Sequence, residues 1–156
     1  MRSAALLALT GGGIMARFTT RVLEDLQAER DKVTGAESLH APLREGFDLM
    51  AGTSAGALCV AGLAVGRSPA ELSRLFDDYG ARIFPAGGVR RFLRWVMTAK
   101  YDTGPLHEAV DLALGKQNPQ LGELGYNVAF PAVDESAGQP VVFTQHRSGL
   151  SQGAAP

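Results

Sequence analysis

Apolar residues run along this chain in two rhythms, short unbroken runs and longer helical periodicities, and the two alternate. Ala4 to Leu9 is apolar throughout and predicts a buried first strand. A helical pattern follows from near Met15 to Lys32, carrying Phe18, Val22 and Leu26, with Val22, Leu23 and Leu26 expected to face the sheet. Residues 34–46, with Gly35, Pro42 and Gly46, read as a connecting loop. Phe47 to Ala51 predicts a second buried strand, and Ala55 to Val65, rich in Ala and Leu, a buried helix. Ser68-Pro69-Ala70-Glu71 is a helix start: a serine cap, a proline in the first turn and a glutamate to close a capping box. Leu72, Leu75 and Phe76 form that helix's apolar face, and Gly80 is expected to end it.

Pro85 to Gly88 breaks the chain. A helix is expected from Val89 to about Lys100, with Phe92, Trp95, Val96 and Ala99 on one face and Arg90, Arg91 and Arg94 elsewhere. It reads either as packing on the domain or as an interfacial helix with its aromatics in a bilayer and its arginines at phosphates. Pro105 opens one more helix, ending at Gly115. Asn127 to Val133, a turn over Asp134 to Gly138, and Val141 to Thr144 predict a hairpin. Gly149 to Pro156 reads as a disordered tail. The alternation implies a single domain over residues 1–156, a three-layer α/β/α arrangement with a largely parallel central sheet and an antiparallel hairpin at its end.

Two turns in this pattern carry candidate chemistry. Gly52-Thr53-Ser54-Ala55-Gly56 matches G-x-S-x-G and sits between the second strand and its helix, the context of a nucleophile elbow. Gly52 and Gly56 allow the sharp turn, and Ser54 is placed at a helix N-terminus, where negative charge is favoured. The same five residues also fit a plain strand-to-helix turn with a serine N-cap. Gly11-Gly12-Gly13 follows the first strand and can present backbone N–H groups to an anion, as an oxyanion hole does. It lacks the Gly-Lys-Ser/Thr of a Walker loop, and no glycine stands at Ala16 to complete a dinucleotide fingerprint. In an open sheet both turns fall at carboxyl ends of strands, where reactive groups gather.

Together the two motifs resemble the patatin-like phospholipases, bacterial type. That family carries Asp-Gly-Gly-Gly-x-Arg/Lys-Gly after its first strand and Gly-x-Ser-x-Gly at its elbow. The resemblance covers residues 4 to about 144 and includes Phe130-Pro131-Ala132-Val133-Asp134 and Gly138 to Phe143. It implies cleavage of acyl esters of lipids or phospholipids, with Ser54 as nucleophile, the Gly11–Gly13 backbone as oxyanion hole, an aspartate as base and no cofactor. Thr10, Met15 and Ala16 depart from the family's first motif, and Arg17 is the nearest positive charge after Met15. The family's catalytic Asp lies in an Asp-Gly-Gly/Ala segment beyond the hairpin, and no Asp-Gly pair occurs in these 156 residues. The resemblance therefore implies a domain incomplete at its C-terminus, and weak or no activity for this stretch alone. It also leaves room for an inactive fragment or a non-enzymatic relative of the same fold.

Bulk composition narrows the field. Apolar content of 46%, charged content of 20% and a net charge of −1 are those of an ordinary globular domain and offer nothing to nucleic acid. Cys59 is the single cysteine and is read as a core residue, which agrees with a cytoplasmic location, extended by the resemblance to the membrane periphery. His40, His107 and His146 lack zinc-type spacing, so no metal site is expected. Ser54, Asp134 and His146 follow the chain order of a Ser-His-Asp α/β-hydrolase and form the alternative catalytic set. Oligomeric state is not read from these residues.

Overall fold

In the computed structural model the described residues are 3–34, 42–83, 104–115 and 118–146. The expected helix over 89–100 and the tail over 149–156 lie outside them, as do His40 and most of the 34–46 loop. Strand β1 (Leu6–Leu9) leads through a one-turn 3₁₀ helix (Gly13–Met15) into α1 (Ala16–Thr34). A second 3₁₀ turn (Leu43–Gly46) precedes β2 (Leu49–Gly52), α2 (Ala55–Ala64) and α3 (Pro69–Ile83). Helix α4 (Gly104–Leu114), a third 3₁₀ turn (Leu121–Glu123), β3 (Val128–Asp134) and β4 (Gln139–Gln145) complete the order. The four strands form one sheet in the order β1-β2-β3-β4, parallel except for the β3–β4 hairpin, as the alternation of elements predicts.

Register follows from apolar runs and turns. Leu6 to Leu9 pair with Leu49 to Gly52, so both strands end at one level. Beyond Met50 and Ala51, β3 leaves β2 and continues with β4 alone. Pro131, which has no N–H for a ladder, lies in that outlying part. Helix α2 is apolar nearly all round and is correspondingly buried, with Cys59, Val60 and Leu63 almost wholly inside. One core cluster joins Leu23, Met50, Val60, Leu63, Leu72 and Val128. A second joins Ala16, Ala55, Cys59, Phe76 and Ala109 under the amino-terminal ends of α1 and α2.

Three expectations need correction. Strand β1, expected to be buried, is covered on one side only, and Leu6 is 66% exposed. Leu23 is 1% exposed, but Val22 and Leu26 are 40% and 43% exposed. The packed face of α1 runs through Ala16, Thr20 and Leu23 instead. Thr20 can be buried because its hydroxyl donates to the Arg17 carbonyl at 3.0 Å, leaving no unsatisfied polar group. Gly80 does not end α3, which runs through it to Ile83. A glycine inside a helix costs about 1 kcal/mol, and burial of Leu72 and Phe76 on the same helix outweighs that.

Candidate active site

The two glycine turns meet at the carboxyl ends of β1 and β2. The parallel ladder continues one residue past the strands, Thr53 N–H donating to the Leu9 carbonyl at 3.1 Å. The Thr53 side chain adds a second tie, its Oγ1 accepting the Gly11 N–H at 3.1 Å. A Cβ built on Gly11 would lie 2.7 Å from Ser54 Cβ and 3.4 Å from Ser54 Oγ. The glycine turn is therefore pressed against the serine, and a side chain at position 11 has no room.

The turn from β2 into α2 is tight. A Cβ on Gly52 would meet the Gly56 carbonyl oxygen at 2.5 Å, and one on Gly56 would lie 2.8 Å from the Leu9 carbonyl carbon. Strand and helix can approach this closely only with glycine at both positions. Between them, Ser54 is held at φ 53 and ψ −126. A non-glycine residue with positive φ is strained, typically by about 1–3 kcal/mol, and persists where its surroundings dictate it. Ser54 stands at the N-cap position of α2, yet its side chain makes no capping hydrogen bond. The residue is exposed. The plain-cap reading of this turn fails on that point: a capping serine has ordinary extended backbone and gives its hydroxyl oxygen to the helix N–H groups. The helix carbonyl pattern starts all the same, with Gly56 N–H on Thr53 O at 2.9 Å and Ala57 N–H on Ser54 O at 2.9 Å.

Around the serine, the candidate partners fall into three groups. The Gly12 and Gly13 amides stand in the same turn as Gly11, and Gly13 has a positive φ of 55°. The second group is basic. Arg17 Nε donates to Asp77 Oδ1 at 2.7 Å, and Arg21 pairs with Asp77 Oδ2 at 3.1 Å, so this acid on α3 holds the first basic residue after the glycine turn. Arg17 is thus not a free substitute for a basic residue at Met15. The third is the alternative catalytic set. Asp134 Oδ1 accepts the N–H groups of Ser136 and Ala137 at 2.9 and 3.2 Å, which is ordinary turn chemistry. Asp134 pairs with Gln139 at one end of the hairpin, whereas His146 follows Gln145, which pairs with Val128 at the other. Six strand residues at about 3.3 Å each keep them about 20 Å apart. The structure does not assemble Ser54, Asp134 and His146. His107 lies on α4, and no hydrogen bond joins Ser54 to a histidine or carboxylate among the described residues.

Burial pushes the Cys59 thiol up to about 12, so it is an inert core residue behind the elbow. Among the described residues no three His, Cys, Asp or Glu side chains gather to hold a metal, and no helix is long and apolar enough to cross a membrane. The partner that sequence reasoning missed is Thr53. Only the pairing of β1 with β2 shows that its hydroxyl reaches Gly11.

Several known proteins are similar to this chain. The patatin-like phospholipase family pattern matches residues 7–148. A "cGAMP-activated phospholipase" of Pseudomonas aeruginosa is 36% identical over 138 residues, 88% of this chain and 38% of that protein. A protein of the same description from Escherichia coli is 32% identical, over 94% of this chain and 41% of its own length. "Patatin-like protein 2" of Arabidopsis thaliana is 29% identical, over 90% of this chain and 36% of the relative. The chain spans about two fifths of the length of the curated relatives it matches.

Proposed function

Because the chain belongs to the patatin-like phospholipase family, we propose that it is the nucleophile-bearing part of a serine hydrolase that cleaves acyl esters of phospholipids or similar lipids. The observation that carries this reading is the state of Ser54: exposed, strained at positive φ, making no capping bond and pressed against the glycine turn. Folding alone gives no reason to keep a serine in that conformation.

In the proposed reaction Ser54 Oγ attacks the ester carbonyl carbon and its proton passes to a base. Negative charge develops on the carbonyl oxygen. The Gly12 and Gly13 amides and the start of α2 are the groups suited to meet it, the Gly11 amide being bonded to Thr53. Collapse expels the alcohol and leaves an acyl-enzyme, which water then cleaves. The base is the family's aspartate from an Asp-Gly-Gly/Ala segment, a carboxylate that Asp134 does not replace. Substrate is met at the membrane surface. By the names of the bacterial relatives, the natural protein responds to cyclic GMP-AMP.

The test is turnover of phosphatidylcholine or phosphatidylglycerol vesicles by the whole natural protein, with and without cyclic GMP-AMP, against its Ser54→Ala variant. Release of fatty acid is expected from the wild type, with a loss of at least about 10³-fold in the variant. Equal turnover by both proteins would end the proposal.

A further inference from the structure

We propose that Thr53 is a positioning residue whose hydroxyl sets the distance between the glycine turn and Ser54, and so tunes the acyl-transfer step without holding substrate. This rests on the reading of Ser54 as nucleophile. Three contacts carry it. Thr53 N–H is fixed on the Leu9 carbonyl, one step beyond the last β1–β2 pair. That anchors the Thr53 backbone to the strand whose end feeds the glycine turn. Thr53 Oγ1 then accepts the Gly11 N–H at 3.1 Å, so one residue clasps both Leu9 and Gly11. Gly11 in turn has no clearance from Ser54, since a Cβ there would lie 2.7 Å from Ser54 Cβ and 3.1 Å from the Thr53 carbonyl oxygen. Any slack in the clasp therefore changes where Gly12 and Gly13 present their amides to a carbonyl attacked by Ser54.

The residue type suits the task. A β-branched side chain next to a strand has few χ1 choices, so its hydroxyl is held where the Gly11 amide needs it. Serine keeps the acceptor but gains rotamer freedom. Valine keeps the shape and loses the acceptor. Thr53 is exposed, so neither change disturbs the core. The clasp also assigns the Gly11 N–H a structural part, distinct from the oxyanion contacts of its two neighbours.

The experiment compares Thr53→Val and Thr53→Ser in the full natural chain. It reads hydrogen exchange at the Gly11 amide, the rate of fluorophosphonate labelling at Ser54, and kcat and KM on phosphatidylcholine vesicles. Thr53→Val should speed Gly11 exchange severalfold and lower both the labelling rate and kcat about tenfold, the loss of one neutral hydrogen bond, with KM within about twofold. Thr53→Ser should recover to within about threefold of wild type. Unchanged Gly11 exchange in Thr53→Val overturns the clasp. Faster exchange with undiminished labelling overturns its part in catalysis. A rise confined to KM would make Thr53 a substrate contact and overturn the positioning role. A wild type that never labels overturns the nucleophile reading and this role with it, and is told apart because Gly11 exchange still responds to Thr53→Val.

Discussion

Two serines open helices in this molecule, and they are built differently. Ser68 stands before α3 and does what a cap does. Its Oγ accepts the Glu71 N–H at 3.2 Å, while Glu71 Oε2 accepts the Ser68 N–H at 2.8 Å. Ser54 stands before α2 and makes no such bond, although α2 has the same orphan N–H groups to satisfy. Its backbone is twisted into a region that serine avoids, and the glycines around it, Gly11, Gly52 and Gly56, have no room for a side chain. A capping serine lowers the free energy of its helix start; a serine held at positive φ carries a strain cost. That contrast distinguishes two serine turns that the sequence pattern alone does not tell apart.

The strongest way to break the contrast is to attack the packing that imposes it. Gly56→Ala puts a methyl against the Leu9 and Thr10 backbone, atoms that cannot swing aside. We expect a loss of about 3 kcal/mol, seen as a fallen denaturation midpoint or insoluble protein. Tolerance of alanine at this position would mean that the elbow is looser than described and that Ser54 is not forced into its conformation.

Replacing each serine should then give opposite signs. Ser54→Gly removes the strain and should stabilise the chain by about 1 kcal/mol, because glycine accepts positive φ. Ser68→Ala removes a cap and should destabilise it by about 1 kcal/mol. Urea titration of both variants beside the wild type checks this, and a destabilising Ser54→Gly would show that the serine supports the fold after all.

The smallest effect sharpens the ordinary side of the comparison. The backbone N–H of Ser68, first among its partners, holds the Glu71 carboxyl below its usual value. A carboxylate with a depressed folded-state pKa adds stability above its unfolded pKa, about 4.5, and loses it as pH falls through the folded value. Glu71→Gln should therefore cost a few tenths of a kcal/mol at pH 7, Glu71 being largely solvent-exposed, and nothing near pH 2. A cost that persists unchanged at pH 2 would show that the carboxylate charge does not matter to the cap.

Much of this was legible before any coordinates. The capping box at Ser68 and the tight strand-to-helix turn at Gly52–Gly56 are local, since each is specified by residues a few positions apart. The glycine turn and its place at a strand end were legible for the same reason. What local pattern could not give is whatever depends on pairing between distant strands. Apolar spacing misplaces the buried face of α1, because Thr20, a polar residue, is buried with its hydroxyl donating to its own helix. Gly80 suggested a stop that tertiary packing overrides. Asp134 and His146 had the right chain order for a triad, but the hairpin register holds them at opposite ends. The clasp between Thr53 and Gly11 spans 42 positions of sequence and appears only once β1 and β2 are in register.

The proposed role of Ser54 as a nucleophile can be read chemically. Fluorophosphonate labelling of the natural protein, read by peptide mass spectrometry, tests it most directly. A single adduct is expected on the peptide carrying Ser54, lost in Ser54→Ala and retained in Ser68→Ala. An adduct that persists after Ser54→Ala, or a wild type that takes up no probe under conditions where lipid esters are cleaved, would contradict it.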